Sequence, residues 1–161
     1  MRIKRLVVLG ASLTIGLVVT ASSAGSAGPA TVLKADTLAG VTGPYVGSAN
    51  PIRGVNGGGV PWDIAEGKAV LTADGHLEVK VEGLVLATTG TNPVTTFRGL
   101  VSCQTIVDGA ATVMNVSTAP FPATTAGDSK IEATVSLPSP CFAPIVFVTS
   151  PGGSWFAVTG V

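Results

Sequence analysis

The sequence predicts an all-β fold, an immunoglobulin-like antiparallel β-sandwich of about seven strands. Charged residues make up only 11% of the 161 residues, and long helical tracts rich in Glu, Lys, Leu and Ala are missing. Glycine and proline, with 21 and 11 copies, break the chain at short intervals. Between these breaks, apolar and polar residues alternate as they do in half-buried strands. A small closed β-barrel is the alternative architecture.

The first 27 residues have the features of a secretory signal peptide. Three basic residues precede an apolar run over residues 6–19, and small residues follow that run. The run is shorter than the roughly 20 residues that span a bilayer, which argues against a membrane anchor. Small residues at the −3 and −1 positions predict cleavage after Ala24 or Ala27. We therefore expect a secreted, extracellular protein that leaves the membrane after cleavage.

The charge of the exported part argues against two classes of partner. Six basic and nine acidic residues follow position 27, so this part carries a net charge of −3 at pH 7. Its basic residues are also scattered along the chain. Nucleic acids and anionic lipids both attract clustered Lys and Arg. Neither a nucleic acid nor a membrane is therefore expected as a partner.

Residues 28–60 show little periodicity. Prolines and glycines interrupt them repeatedly, and only residues 31–38 have the character of a strand. The stretch GVNGGGVPW, residues 54–62, lacks the Gly-Lys-Ser/Thr ending of a phosphate-binding loop, and no helix is predicted after it. We predict a loosely ordered N-terminal segment over residues 28–60, a hinge at these glycines, and a sandwich domain over residues 61–161.

Alternating segments and turn sequences place the strands of this domain. Two Asp-Gly pairs, Asp74-Gly75 and Asp108-Gly109, separate such segments and are strong signals for β-hairpins. Loops rich in proline and glycine separate the other strands. The strands are predicted over residues 66–72, 76–86 with a kink at position 83, 94–107, 111–117, 129–137, 144–149 and 155–161.

The chain contains two cysteines, Cys103 and Cys141. In an exported protein such a pair predicts a disulfide, which here closes a loop of 39 residues. The bridge either links the two sheets or fastens a loop to one of them. Free thiols are the alternative. A metal site is not predicted, because two cysteines and one distant histidine do not make a ligand set, and no cofactor is predicted either.

No group of residues predicts an enzyme active site. His76 is the only histidine, and it follows a hairpin turn, where side chains are usually exposed to solvent. Glu78 and Glu82 share a strand face with Lys80 between them, which is the pattern of the wet side of a sheet. We therefore name no catalytic residue.

Three residues are candidate ligand contacts: Trp62, Arg98 and Trp155. Each tryptophan follows a Gly/Pro turn and begins a strand, so both can lie at one end of the sandwich. There they would form an aromatic platform for a sugar or a peptide, together with Tyr45 and Phe121. The alternative is that both indoles fill the core, because the domain has few other large aromatic side chains.

Four segments carry a resemblance to known proteins: RGVNGGGVPW, ADGHLEVKVEGLVL, GTNPVTTFRGLVSC and LPSPCFAPIVFVTSPGGSWFAVTG. Together they resemble a group of small secreted actinobacterial proteins of unknown function, over roughly residues 53–161. The strand–Asp-Gly–strand–Gly-Leu opening is also loosely similar to CHRD domains, which are secreted β-domains, although their histidine-bearing strand is missing here. The resemblance implies export and a β fold, and it implies no activity, substrate or cofactor.

These observations favour a secreted, non-enzymatic β-sandwich that acts as a binding or cell-envelope-associated module. A cell-wall glycan or a protein is the expected kind of partner. One alternative is a small secreted hydrolase or enzyme inhibitor that uses loop residues such as Asp63, Glu66, His76 or Arg98. Another is a structural component of the cell surface.

Overall fold

The computed structural model describes residues 28–160 and confirms the all-β fold. Within this range, twelve strands and a short 3-10 helix, Gly43–Tyr45, follow one another. The predicted signal peptide lies outside the described residues. The strands are β1 (Thr31–Ala35), β2 (Leu38–Gly40), β3 (Trp62–Asp63), β4 (Glu66–Thr72), β5 (His76–Glu82), β6 (Val85–Leu86), β7 (Thr96–Val107), β8 (Ala110–Ser117), β9 (Phe121–Pro122), β10 (Ser129–Thr134), β11 (Phe142–Thr149) and β12 (Trp155–Thr159).

Two open antiparallel sheets form the sandwich. The smaller sheet has the order β1-β4-β5-β10, and the larger sheet has the order β2-β12-β11-β7-β8, with β9 paired to β7. β3 and β6 form a separate two-stranded ribbon. Because neither sheet closes on itself, the fold is a sandwich and not the barrel that was the alternative.

All seven strands predicted for the domain are present, with small shifts at their ends. Both Asp-Gly pairs lie in hairpin turns, which join β4 to β5 and β7 to β8. The kink predicted at Gly83 separates β5 from β6, and this glycine has a φ of 63°. The strands that the sequence did not indicate are β2, β3 and β9, each of three residues or fewer.

Side-chain alternation decides which face of each strand meets the core. Leu77, Val79 and Val81 of β5 are fully buried. Gly99 of β7 lies directly over this layer, since a Cβ added to it would be 2.8 Å from the Leu77 Cδ2 atom. The odd-numbered residues of β7 therefore point to the smaller sheet, and its even-numbered residues point to the outer face of the larger sheet.

Residues 28–60 belong to the sandwich, which corrects the prediction of a loosely ordered segment. β1 pairs with β4 and β2 pairs with β12, so each sheet gains an edge strand from this region. Residues 41–61, named here the covering loop, pack with Val41 and Val55 buried. Arg53 of this loop donates from Nη1 to the Ser102 carbonyl oxygen of β7 at 2.9 Å.

Two of the four clustered glycines pack against the last strand, which corrects the prediction of a hinge. The Gly58 N–H donates to the Trp155 carbonyl at 2.8 Å, and the Trp155 N–H donates to the Asn56 carbonyl at 2.9 Å. A Cβ at Gly57 would overlap the Tyr45 carbonyl oxygen. The absence of a side chain thus permits close backbone packing here. Among the described residues, the strands of the sandwich start with β1.

We expect Gly57→Ala to lower the free energy of unfolding by about 1–3 kcal/mol, because the new methyl group overlaps a backbone carbonyl in a packed region. Gly59→Ala is the matched control, since nothing lies within 4 Å of its Cβ position. That variant should stay within about 0.5 kcal/mol of the unchanged protein. Urea denaturation followed by tryptophan fluorescence measures both. Equal losses in the two variants would contradict the packing of the covering loop described here.

Candidate functional site

The two tryptophans predicted as ligand contacts are buried, with 3% of Trp62 and 2% of Trp155 exposed. Trp62 stacks on Phe156 inside the sandwich, with ring centroids 3.9 Å apart. Trp155 lies on the outer face of the larger sheet, where its ring contacts those of Phe147 and Tyr45. The structure does not bring the indoles together as a platform. Both pack as core side chains, the alternative that the sequence left open.

Arg98 and Trp155 lie in one row across the larger sheet. Arg98 of β7 is the register partner of Thr149 in β11, and Thr149 is in turn the register partner of Trp155 in β12. Arg98 Nε, Thr149 Oγ1 and Trp155 Nε1 are buried and have no hydrogen-bond partner among residues 28–160. Thr149 and Trp155 are buried, whereas Arg98 is half-buried, so Arg98 is the one side chain of this row that solvent reaches in part.

Cys103 and Cys141 form the predicted disulfide, with their Cα atoms 5.1 Å apart. Cys103 lies on β7, and Cys141 immediately precedes β11, the neighbouring strand of the same sheet. The bridge therefore fastens the segment between β10 and β11 to the larger sheet and does not link the two sheets. Cys103 is also the register partner of Met114 in β8.

The residues proposed for a hydrolase or inhibitor do not converge. Glu66 begins β4 and faces Glu82, at the opposite end of the β4–β5 hairpin from His76. The length of these strands separates the two ends by about 20 Å. Asp63 lies on the β3–β6 ribbon, and Arg98 lies on the outer face of the larger sheet.

The outward face of the smaller sheet is charged, and its charges pair with one another. Lys80 contacts Glu82, and Lys130 contacts both Glu78 and Glu132. The hydrogen bond between Lys130 and Glu132 raises the pKa of the lysine and lowers the pKa of the glutamate. Such exposed ion pairs add little stability. They do show that Glu78 and Glu82 form the solvated side of the sheet, as the sequence indicated.

A cavity of about 440 Å³ lies beside this charged face, lined partly by Lys80, Glu82 and Asp128. Its acidic groups already have partners, because Asp128 Oδ1 accepts a hydrogen bond from the Gly83 N–H at 3.0 Å. Across the described residues, no three His, Cys, Asp or Glu side chains are grouped so that they could hold a metal ion. Residues 28–160 also include no helix long and apolar enough to cross a membrane.

Sequence reasoning missed an exposed apolar surface on the β7–β8 hairpin and the start of β11. We name it the hairpin surface, and it consists of Ile106, Val113 and Phe142 on the outer face of the larger sheet. Val107 and Met114 are also exposed, but they point to the opposite face of the hairpin. Between 40% and 53% of each of these residues is exposed. Clustered apolar side chains that face solvent mark interaction sites in many proteins. The hairpin surface is therefore the candidate functional site.

The register of the larger sheet brings this cluster together. Val113 of β8 and Phe142 of β11 are the two register partners of Gln104 in β7, so their side chains flank it on the outer face. Ile106 lies two residues further along β7 and points the same way. The sequence did contain a signal for this surface, since Asp108 is the only charged residue from position 99 to position 117.

No protein-family model, curated protein or solved structure matches this chain. The resemblance to small secreted actinobacterial proteins therefore stays a prediction, and the functional argument depends on the geometry of the site.

We expect the double variant Cys103→Ala/Cys141→Ala to lose about 4 kcal/mol of unfolding free energy, because the bridge no longer restricts a 39-residue loop in the unfolded chain. Urea denaturation with and without a reducing agent measures the effect. Reductant should lower the midpoint of the unchanged protein and leave the double variant as it was. An unchanged midpoint after complete reduction would show that the bridge does not stabilise the fold.

Proposed function

We propose that this chain is an exported, non-enzymatic β-sandwich that binds a protein partner at the cell envelope through the hairpin surface. One observation carries the proposal: the large apolar side chains of Ile106, Val113 and Phe142 are exposed on the same face of the hairpin and the adjoining strand. Asp108, at the tip of the hairpin, is the only charged residue from position 99 to position 117. Such a surface gains free energy when a partner removes it from water.

Of the two partner classes predicted from the sequence, the geometry favours a protein over a glycan. A sugar presents many hydroxyl groups, and each of them costs free energy if it is buried without a hydrogen bond. The hairpin surface offers aliphatic side chains and Phe142, with Gln104 as the polar side chain between them. This composition suits the apolar core of a protein interface. Trp62 and Trp155, which could have stacked on a sugar ring, are buried.

Export is part of the proposal, and two observations support it. The first 27 residues have the composition of a signal peptide. The Cys103–Cys141 disulfide is of the kind that persists in oxidising compartments outside the cytosol. The alternative of a structural surface component is favoured by a separate observation, the free edge of β8, because an unprotected strand edge can pair with another chain.

We expect the variant Ile106→Ser/Phe142→Ser to be retained on purified cell envelopes about tenfold less than the unchanged protein, because it loses the apolar centre of the proposed interface. Val32→Ser/Val60→Ser is the matched control, since these valines are 43% and 45% exposed and lie outside the hairpin surface. Quantitative pull-down measures retention, and urea denaturation checks that both variants fold.

The same pull-down distinguishes the two partner classes. Protease treatment of the envelopes should abolish retention, whereas digestion of their glycans should leave it in place. Equal retention of both serine variants, or retention that survives the protease, would contradict the proposed function.

A further inference from the structure

The free edge of β8 differs from the other edges of the two main sheets. Soluble proteins usually guard an edge strand with charges, a bulge or short length. The β1 edge carries Lys34 and a register shift, the β10 edge carries Lys130 and Glu132, and β2 has only three residues. β8 has eight residues with no charge and no proline, and seven of the eight are exposed. This edge is long and carries none of these guards.

The hydrogen-bond pattern shows which backbone groups of β8 point away from its neighbour. Asp108 and Gly109 both have positive φ, 52° and 80°, as a two-residue type I′ turn requires. Such a turn makes Val107 and Ala110 a hydrogen-bonded pair, and the pairing then alternates along the hairpin. The Thr118 N–H, which donates to the Gly99 carbonyl at 2.8 Å, follows the same alternation. The even-numbered residues of β8 therefore bond to β7.

The odd-numbered residues of β8 are left with their N–H and C=O groups at the free edge. They are Ala111, Val113, Asn115 and Ser117. A partner strand that pairs with all four would satisfy eight backbone groups that otherwise depend on solvent.

We propose that the partner at this edge is a second copy of the same chain, whose β8 pairs antiparallel with this β8 about a two-fold axis near Met114. The pairing joins the larger sheets of the two copies into one continuous sheet. This inference goes beyond the proposed function, because the second copy pairs with the backbone edge of β8, whereas the envelope partner would contact the side chains of the hairpin surface. The pairing is β-sheet augmentation between identical strands, which forms a closed and symmetric interface.

Symmetry and charge both support a second copy as the occupant. In an antiparallel pair, residues directly opposite each other point to the same face of the sheet, and side chains alternate between faces along each strand. A two-fold axis perpendicular to the sheet therefore lies level with one residue of β8, which faces its own copy, and not between two consecutive residues. With the axis at Met114, Val113 pairs with Asn115 of the second copy and Ala111 with its Ser117, which uses all four edge residues. The strand carries no charge, so no like charges oppose each other across the axis.

The test is the molar mass of the secreted protein by sedimentation equilibrium over about a hundredfold range of concentration, because self-association follows mass action. We expect the mass to approach twice that of the single chain. Val113→Pro should stay monomeric, because it removes an N–H that points to the free edge and leaves the bonds to β7 intact. Val113→Lys should also stay monomeric, whereas Val32→Lys, at an equally exposed valine on β1, should associate normally.

Amide hydrogen exchange tests the register. On association, exchange at Val113 and Asn115 should slow by about tenfold or more, because these amides gain partners. Exchange at Thr112 and Met114 should change little, since their amides already bond to β7. An unchanged monomer mass at every concentration, or association that survives Val113→Pro, would overturn the proposal.

A further variant tests the proposed function separately from the self-association. Phe142→Ser alters the hairpin surface but not the edge of β8, so it should reduce envelope retention and leave the dimer intact. Retention that depends on Phe142 in a protein that remains monomeric supports the proposed function and refutes the second copy as partner. A dimer whose retention does not depend on Phe142 supports the self-pairing and refutes the proposed function.

Discussion

The packing of the covering loop on the outer face of the larger sheet depends on the close approach of Gly57 and Gly58 to Trp155. Two backbone hydrogen bonds hold this contact, and the missing side chain at Gly57 lets the Tyr45 carbonyl approach. The contact fastens the covering loop over the sheet and encloses the apolar layer that includes Phe147. The backbone contact of Gly57 and Gly58 with Trp155 therefore decides which part of the sheet is shielded from water.

The hairpin surface begins where the covering loop no longer covers the outer face of β7 and β8. Arg53 bonds to the Ser102 carbonyl, and Asn115 donates to the Arg53 carbonyl at 3.1 Å. Ser102 is fully buried at this point, whereas Ile106, four residues further along the same face of β7, is 53% exposed. β7 and β8 continue beyond the loop as a two-stranded extension. The exposure of its apolar side chains thus follows from the length of the loop, and not from a local feature of the hairpin.

The strands of the domain could be predicted because their signals are local. Asp74-Gly75 and Asp108-Gly109 supply the backbone conformations of tight turns, and alternation supplies the buried face of strands such as β5. The covering loop has no such signal. Its glycines act by having no side chain, and its hydrogen bonds join the backbone to a strand about a hundred residues later, at Trp155. Composition alone therefore suggested a loose segment where the chain is packed.

The lack of charge from position 99 to position 117, apart from Asp108, was a signal for the candidate site, but the sequence alone could not place that site in the fold, for a related reason. Trp62 and Trp155 both begin strands after a turn, yet the fold places one inside the sandwich and the other beneath the covering loop. β8 was predicted as a strand, but its position at the sheet edge depends on the order of the strands in the sheet. β11, which comes later in the chain, pairs with the other side of β7, and no strand pairs with the outer side of β8 among the described residues. Within the described residues the other main-sheet edges are guarded, so one copy offers one free edge. Association through β8 then closes after two copies, because growth into a fibre would require two free edges on each copy.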